Sequence, residues 1–316
     1  MRPRPGAVVD LAGPTMGVTW SARAVLPPGL ASDLARDAVQ ARLDRLVGEV
    51  SHWEPQSALS RFNRAAAGEC VVLPEDLWTV LNAALEAAAG SDGAFDPTMG
   101  RLVDLWGFGP AGARLDAPSP EAVTAARAAA GWRRLQLSAA DRSARQPGGL
   151  ALDLSGIAKG YGVDLIAETL AGLGVSACLA EIGGELRGVG VRPNGEPWWV
   201  EIETPPDLAA APPPIRLALH GLAVATSGDY RLSRETGGRR VAHTLDPRTG
   251  APLVEAPASV TVIHESCMMA DALSTVLTVL GPEAGAAYAE ARGLAARSLT
   301  REGDERLSPA FRAMLD

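Results

Sequence analysis

Leu152-Asp-Leu-Ser-Gly-Ile-Ala-Lys-Gly-Tyr161 is the stretch on which the reading of this chain turns. Residues 150–154 are a short apolar run with strand character. Ser155 and Gly156 break the run. Residues 157–173 then place apolar side chains at helical spacing and finish at Gly172 and Gly174. A strand that turns into a helix offers free backbone N–H groups and a positive dipole end, which suits an anion such as phosphate. Lys159 falls in the first helical turn, where the dipole disfavours a cation. It either answers an anionic partner or is a solvated lysine on an ordinary turn, and the segment alone leaves both readings open.

Working outward, residues 30–50 carry a helical apolar period. A second helix opens at Pro74 and closes at Gly90, and a third is capped by Ser119-Pro120-Glu121 and stopped at Gly131. Strands are expected at 18–25, 135–137, 178–182, 222–226 and 260–263. Residues 198–203 and 215–219 alternate with period two, as half-buried antiparallel strands do, around a Pro- and Ala-rich loop at 205–214. Ser266 caps a helix to about Leu280, and Pro282 opens another. This order suits mixed α+β layers better than a regular βαβ series.

Composition narrows the function. A chain of 316 residues holds two domains or one large domain with two lobes. Its 47% apolar content supports a sizeable core. The net charge of −8 argues against a nucleic-acid binder and against a polybasic membrane-surface protein. Cys70, Cys178 and Cys267 lie far apart, with no disulfide framework or zinc knuckle implied. The chain as given has neither an apolar run of membrane-spanning length nor a secretory h-region.

Four further segments look chemical. In Met268-Met-Ala-Asp-Ala-Leu-Ser-Thr275, Asp271 and Thr275 share one helix face with Ser274 beside them. A carboxylate and a hydroxyl are hard oxygen donors, suited to Mg²⁺ rather than zinc, unless the face is merely solvated. In Val241-Ala-His-Thr-Leu-Asp-Pro-Arg-Thr-Gly250, His243 precedes a turn and is either a general base or a hydrogen-bonded hairpin histidine. His52, His220 and His264 lack such a setting and read as structural. Asp96, in Gly93-Ala-Phe-Asp-Pro-Thr98, either holds a ligand edge or caps its turn. Trp53 stacks on a flat ring or belongs to the core, the core being favoured when the residue is taken alone. Glu181-Ile-Gly-Gly-Glu185 and Thr226-Ser-Gly-Asp-Tyr230 are turns where backbone can approach a ligand.

Taken in order, these segments resemble the ApbE family of FAD:protein FMN transferases. The resemblance rests on Met16-Gly17 with Thr19-Trp20, Pro55-x-Ser57-x-Leu-Ser-Arg-Phe-Asn63, and Gly93-Ala-Phe-Asp96 with Leu105-Trp-Gly-Phe-Gly109. It also rests on the 152–160 junction with Asp164, on Ala225-Thr-Ser-Gly-Asp-Tyr230 with His243 and Asp246-Pro-Arg-Thr-Gly250, and on Ala270-Asp-Ala-Leu-Ser-Thr275.

The resemblance implies a single ApbE-like domain over 1–316, α+β, with two lobes of mostly antiparallel sheet flanked by helices and the site in the cleft between them. It implies an enzyme that moves the FMN half of FAD onto a threonine of an acceptor flavoprotein and releases AMP. Water as acceptor, giving free FMN and AMP, and a flavin-binding protein without turnover are the alternatives. By the same analogy, Gly156, Asp271, Ser274 and Thr275 hold Mg²⁺, with Mn²⁺ as an alternative. Lys159 adds positive charge and His243 takes the threonine proton. Met16, Trp53, Ala94, Phe95, Asp96, Asp153, Lys159 and Leu245 hold FAD. Trp53 stands where many relatives carry tyrosine, Val18 where Thr is common and Thr244 where Ser is common. Glu181 and Glu185 replace the commoner Asn and Asp or Asn. Most relatives carry an export signal and often a lipid-anchor cysteine. Neither is visible in the chain as given, so a cytoplasmic enzyme is expected, or an exported one if the true start lies upstream, with no nucleic-acid partner and no integral membrane segment.

Overall fold

The computed structural model describes residues 6–315 apart from 115, 207, 229–232, 237, 238 and 255, with backbone only at 233–236 and 239–241. Asp229 and Tyr230, singled out above, therefore lie outside the described residues.

The chain opens with a hairpin of β1 (Val8–Thr15) and β2 (Val18–Val25), then α1 (Ser32–Val50) and α2 (Ala58–Arg64). Next come β3 (Cys70–Val72), α3 (Glu75–Gly90), α4 (Gly100–Leu105), α5 (Pro120–Ala129), β4 (Gln136–Ser138), β5 (Ser143–Arg145) and α6 (Ala158–Gly172). The middle of the chain supplies β6 (Cys178–Ile182), β7 (Glu185–Val189), β8 (Trp198–Glu201), β9 (Arg216–Leu219) and β10 (Leu222–Gly228). Short ribbons follow, β11 (Ser233–Thr236) with β12 (Arg239–Ala242), and β13 (Leu245–Asp246) with β14 (Ala251–Pro252). The chain closes with β15 (Ser259–His264), α7 (Cys267–Ala291), β16 (Ala295–Leu299), β17 (Glu305–Leu307) and α8 (Pro309–Arg312).

One eight-stranded sheet, in the order β1-β2-β6-β7-β10-β15-β16-β17, dominates. Its pairings are all antiparallel, so the α+β expectation holds. Strand alternation sorts its side chains onto two cores. Ala225, Val262 and Ala296 pack with Leu273 and Leu277 of α7 on one face. Val224, Ile263 and Ala295 pack with Trp198, Leu219 and Phe311 on the other. Trp198 is fully enclosed, and its indole N–H donates to Val189 O at 2.9 Å, which meets the requirement that a buried polar group find a partner.

Several elements depart from the expectations. Residues 150–154 form no strand beyond a single bridge from Ala151 to Met99. The backbone there is satisfied by a side chain: Asn63 Nδ2 donates to Leu152 O at 3.0 Å, and Leu152 N donates to Asn63 Oδ1 at 2.7 Å. The strands β1 and β7 and the helix α2 were not anticipated. Pro14 in β1 is tolerated because that strand is an edge. β7 was hidden by Gly183-Gly184, which forms a tight hairpin turn with φ of 60° and 104° between Ile182 and its partner Glu185. The expected break before Pro282 is present: Gly281, at φ 79°, divides α7. Three free cysteines remain unbridged, Cys178 and Cys267 buried and Cys70 exposed. No helix among the described residues is long and apolar enough to cross a membrane.

Candidate active site

Two helices bring the polar groups together. α6 and α7 cross so closely at Gly160 that a Cβ there would lie 2.3 Å from Cys267 O and 2.8 Å from Asp271 Cβ. The Gly160 N–H donates to Asp271 Oδ2 at 3.0 Å. Asp164, one turn further along α6, fixes the start of α7. Its Oδ1 accepts from Cys267 N at 3.0 Å, and its Oδ2 accepts from Met268 N at 3.0 Å and from Ser266 Oγ at 2.9 Å. Carboxylate capping of this kind satisfies the donors a helix start leaves open.

An open cavity of about 510 Å³ lies beside this crossing. Met16, Trp53, Ala94, Phe95, Asp96, Asp153, Gly156, Lys159, His243, Leu245, Asp271 and Thr275 all line it. Ser274 does not. It is fully buried, donating to Asp271 O at 2.8 Å and lying 2.7 Å from Ser227 Oγ. A hydroxyl turned into the packing in this way can orient Ser227 but does not reach the cavity. Ser227 lines the cavity and stands 3.4 Å from Thr275 Oγ1, so sequence reasoning missed an oxygen beside the helix face.

Asp271 and Thr275 stand side by side on α7, as their spacing predicted. A Cβ on Gly156 would meet Thr275 Oγ1 at 3.2 Å, so the bare backbone of the junction lies against that hydroxyl. Asp271 Oδ1 makes no hydrogen bond among the described residues. Burial pushes the Asp271 carboxyl up, against the pull of Lys159 and the Gly160 N–H. Among the described residues no group of three His, Cys, Asp or Glu side chains could hold a metal ion. The donors here are the Asp271 carboxylate and the Thr275 and Ser227 hydroxyls. That set fits a hard cation that completes its shell with ligand phosphate and water, as Mg²⁺ does.

Lys159 finds a partner within the protein. Its Nζ lies 2.6 Å from Glu185 Oε1. Burial opposes its charge, but Glu185 and Asp271 outweigh burial and hold the ammonium above its usual value. Burial raises Glu185 to about 7, with Lys159 opposing and Asp271 adding to the rise. The short contact and the second carboxylate make the charged lysine the firmer of the two states. Glu185 Oε2 is buried without a hydrogen bond. Sequence reasoning noted Glu185 as a replacement and as the end of a turn where backbone can approach a ligand, but not as the partner of Lys159; the Gly-Gly hairpin was the signal that would place it opposite Ile182, at the cavity wall.

The other side chains divide by what they touch. Trp53 is 58% exposed, which rules out a core role and leaves its ring at the cavity. Asp96 caps its own turn, accepting from Thr98 N at 2.8 Å and Thr98 Oγ1 at 2.6 Å, while still facing the cavity. Burial raises its carboxyl against those hydrogen bonds. Asp153 Oδ1 accepts from Ser155 N at 2.8 Å and lies 3.4 Å from His52 Nδ1. His52, read as structural, lines the cavity as well. His220 and His264 do serve the backbone: His220 Nδ1 lies 3.0 Å from Gly190 O, and Ser266 N donates to His264 Nδ1 at 3.0 Å. His243 is half-buried at the cavity edge, between β12 and β13.

The chain is 38% identical to a FAD:protein FMN transferase of Vibrio cholerae, over 99% of this chain and 94% of the relative. It is 34% identical to the Escherichia coli K12 protein of the same name, over 98% and 89%. A crystal structure of the Pseudomonas stutzeri flavinyl transferase ApbE, apo form, superposes with a TM-score of 0.89 at 41% identity, over 98% of this chain and 96% of that one. The flavin transferase ApbE from Vibrio cholerae gives a TM-score of 0.89 at 36% identity, over 98% and 100%. The family model described as the ApbE family matches residues 16–298. With a fold and a sequence that both agree over nearly its whole length, the chain belongs to the ApbE family.

Proposed function

We propose that this chain transfers FMN from FAD to a threonine hydroxyl of an acceptor flavoprotein, releases AMP, and needs a divalent cation to do so. The observation that carries the reading is the convergence of Asp271, Thr275, Gly156, Lys159 and His243 on one cavity. Relatives that cover nearly the whole chain bear the name FAD:protein FMN transferase, which supports the same activity here.

The step balances as follows. The threonine oxygen bonds to the phosphorus of the FMN half, the bond from that phosphorus to the bridging oxygen breaks, and AMP departs with the electron pair. His243 takes the proton of the hydroxyl, work suited to an imidazole near neutral pH. Lys159 sets a positive charge on the cavity wall against phosphate, which an acidic protein otherwise repels. Asp271, Thr275 and the Gly156 backbone would hold Mg²⁺ or Mn²⁺. When bound, the cation draws charge from the phosphoryl oxygens and eases departure of AMP. Trp53, Met16 and Phe95 offer apolar surface for the flavin ring.

The experiment is incubation with FAD, Mg²⁺ and a threonine-bearing acceptor, followed by denaturing electrophoresis and nucleotide analysis. A fluorescent covalent band with equimolar AMP is expected. FMN and AMP without covalent flavin would make water the acceptor. Intact FAD after long incubation would leave only binding.

A further inference from the structure

The turn that carries His243 is held from two directions. Within the turn, Asp246 Oδ1 accepts from Arg248 N at 2.8 Å, Asp246 O accepts from Gly250 N at 2.7 Å, and Thr244 O accepts from Leu253 N at 3.0 Å. These bonds give the turn its shape but say nothing of where it sits. Its seat comes from α5, where Arg127 Nη1 donates to Arg248 O at 2.7 Å, and from α4. The indole N–H of Trp106, at the end of α4, donates to Gly250 O at 2.8 Å across 144 residues of chain. Leu245 packs with Met99 and Leu102 beside the Trp106 ring. Contact is tight enough that a Cβ on Gly250 would meet Leu102 Cδ2 at 3.2 Å.

The other end of α4 grips the phosphate-side segment. Gly100 N donates to Ala151 O at 3.0 Å, and Asp153 N donates to Pro97 O at 2.8 Å. Gly100 also needs its bare Cα, since a Cβ there would lie 2.8 Å from Leu152 O. One six-residue helix thus spans the two halves of the site, the 151–156 segment at its start and the His243 turn at its end.

We propose that Trp106 is a positioning residue for transfer: its indole N–H, by holding Gly250 O, sets the reach of His243 toward the phosphorus of bound FAD. Trp106 does not line the cavity, so it acts through the turn. The proposal rests on the reading of His243 as the base. Proton transfer is acutely sensitive to such placement, a misfit near 1 Å costing on the order of 100-fold.

The test is a double-mutant cycle on single-turnover AMP release at saturating FAD and Mg²⁺. Trp106→Phe keeps the packing and removes the donor. It is expected to slow release about ten-fold, within the range that misplacement of a catalytic group produces, with FAD affinity unchanged. In the His243→Ala background the same substitution is expected to have no further effect, because what it misplaces is already gone. Equal slowing in both backgrounds, or no slowing in the wild type, overturns the proposal and leaves the role of His243 standing. An unchanged rate in His243→Ala alone removes the base assignment, and the proposal falls with it. Should Trp106→Phe fail to fold, site-specific replacement of Trp106 by benzothienylalanine, isosteric but without the N–H, gives the same readout.

Discussion

Gly160 and Asp271 are joined by a 3.0 Å hydrogen bond from a backbone N–H to a carboxylate oxygen, where α6 and α7 pack too closely to admit a Cβ. The bond occupies Oδ2 and thereby orients the carboxylate. Oδ1 makes no hydrogen bond among the described residues, and in the function proposed it would hold the cation with Thr275. A glycine is required because the partner at 2.3 Å from an added Cβ is the Cys267 carbonyl, which cannot turn aside as a long side chain would.

Gly160→Ala is therefore expected to force α6 from α7, costing about 3 kcal/mol, the upper end for overpacking a core. Thermal unfolding measures the loss. Transfer activity should fall further than the fraction unfolded accounts for, because Lys159 and Asp271 separate together.

Asp271→Asn should behave differently. It keeps an acceptor for the Gly160 N–H and removes a buried charge, so the melting temperature should hold or rise. AMP release should fall at least about 100-fold, as expected for losing a charged group that serves the transition state. Since burial holds the Asp271 carboxyl above its usual value, protons compete with the cation there. Mg²⁺ affinity in the wild type should weaken as pH falls and strengthen as it rises, and titration calorimetry across pH would measure it.

His243→Ala should lower turnover about 100-fold or more while leaving FAD affinity within about three-fold, because a base acts mainly in the transition state. Parallel rate and equilibrium-binding measurements separate the two. Equal loss in both would make the histidine a binding residue.

Asp76 couples fold to pH. Arg42 reaches it with two 2.6 Å hydrogen bonds and Tyr161 with one of 2.9 Å, tying α1, α3 and α6 together. Burial works to raise the carboxyl, but Arg42 and Tyr161 outweigh it and hold it below its usual value. Its stabilisation is thus complete above the ordinary aspartate value of about 3.9 and is lost as pH falls through the lower folded value. Asp76→Asn should cost about 3 kcal/mol, mostly by leaving Arg42 unpaired, and should flatten the acid limb of a stability profile followed by circular dichroism.

The sequence was legible where chemistry and period coincide. The long helices, the central strands and the Asp271/Thr275 face follow from spacing, because each is fixed by local repetition. Residues 150–154 misled because Asn63, nearly ninety positions upstream, supplies the hydrogen bonds a neighbouring strand would have made. Ser274 misled because spacing puts it beside Thr275 but cannot say that Ser227, on β10, turns its hydroxyl inward. Glu185 was missed because its importance lies in facing Lys159 at 2.6 Å, a contact that exists only once β7 pairs with β6.

The most direct test of the account is a crystal soaked with FAD and Mn²⁺, with the ion located by its anomalous signal. The account predicts a peak touching Asp271 Oδ1 and Thr275 Oγ1 and in contact with the FAD phosphates. FAD bound with its phosphates away from those two side chains, or a peak on other residues, would contradict it.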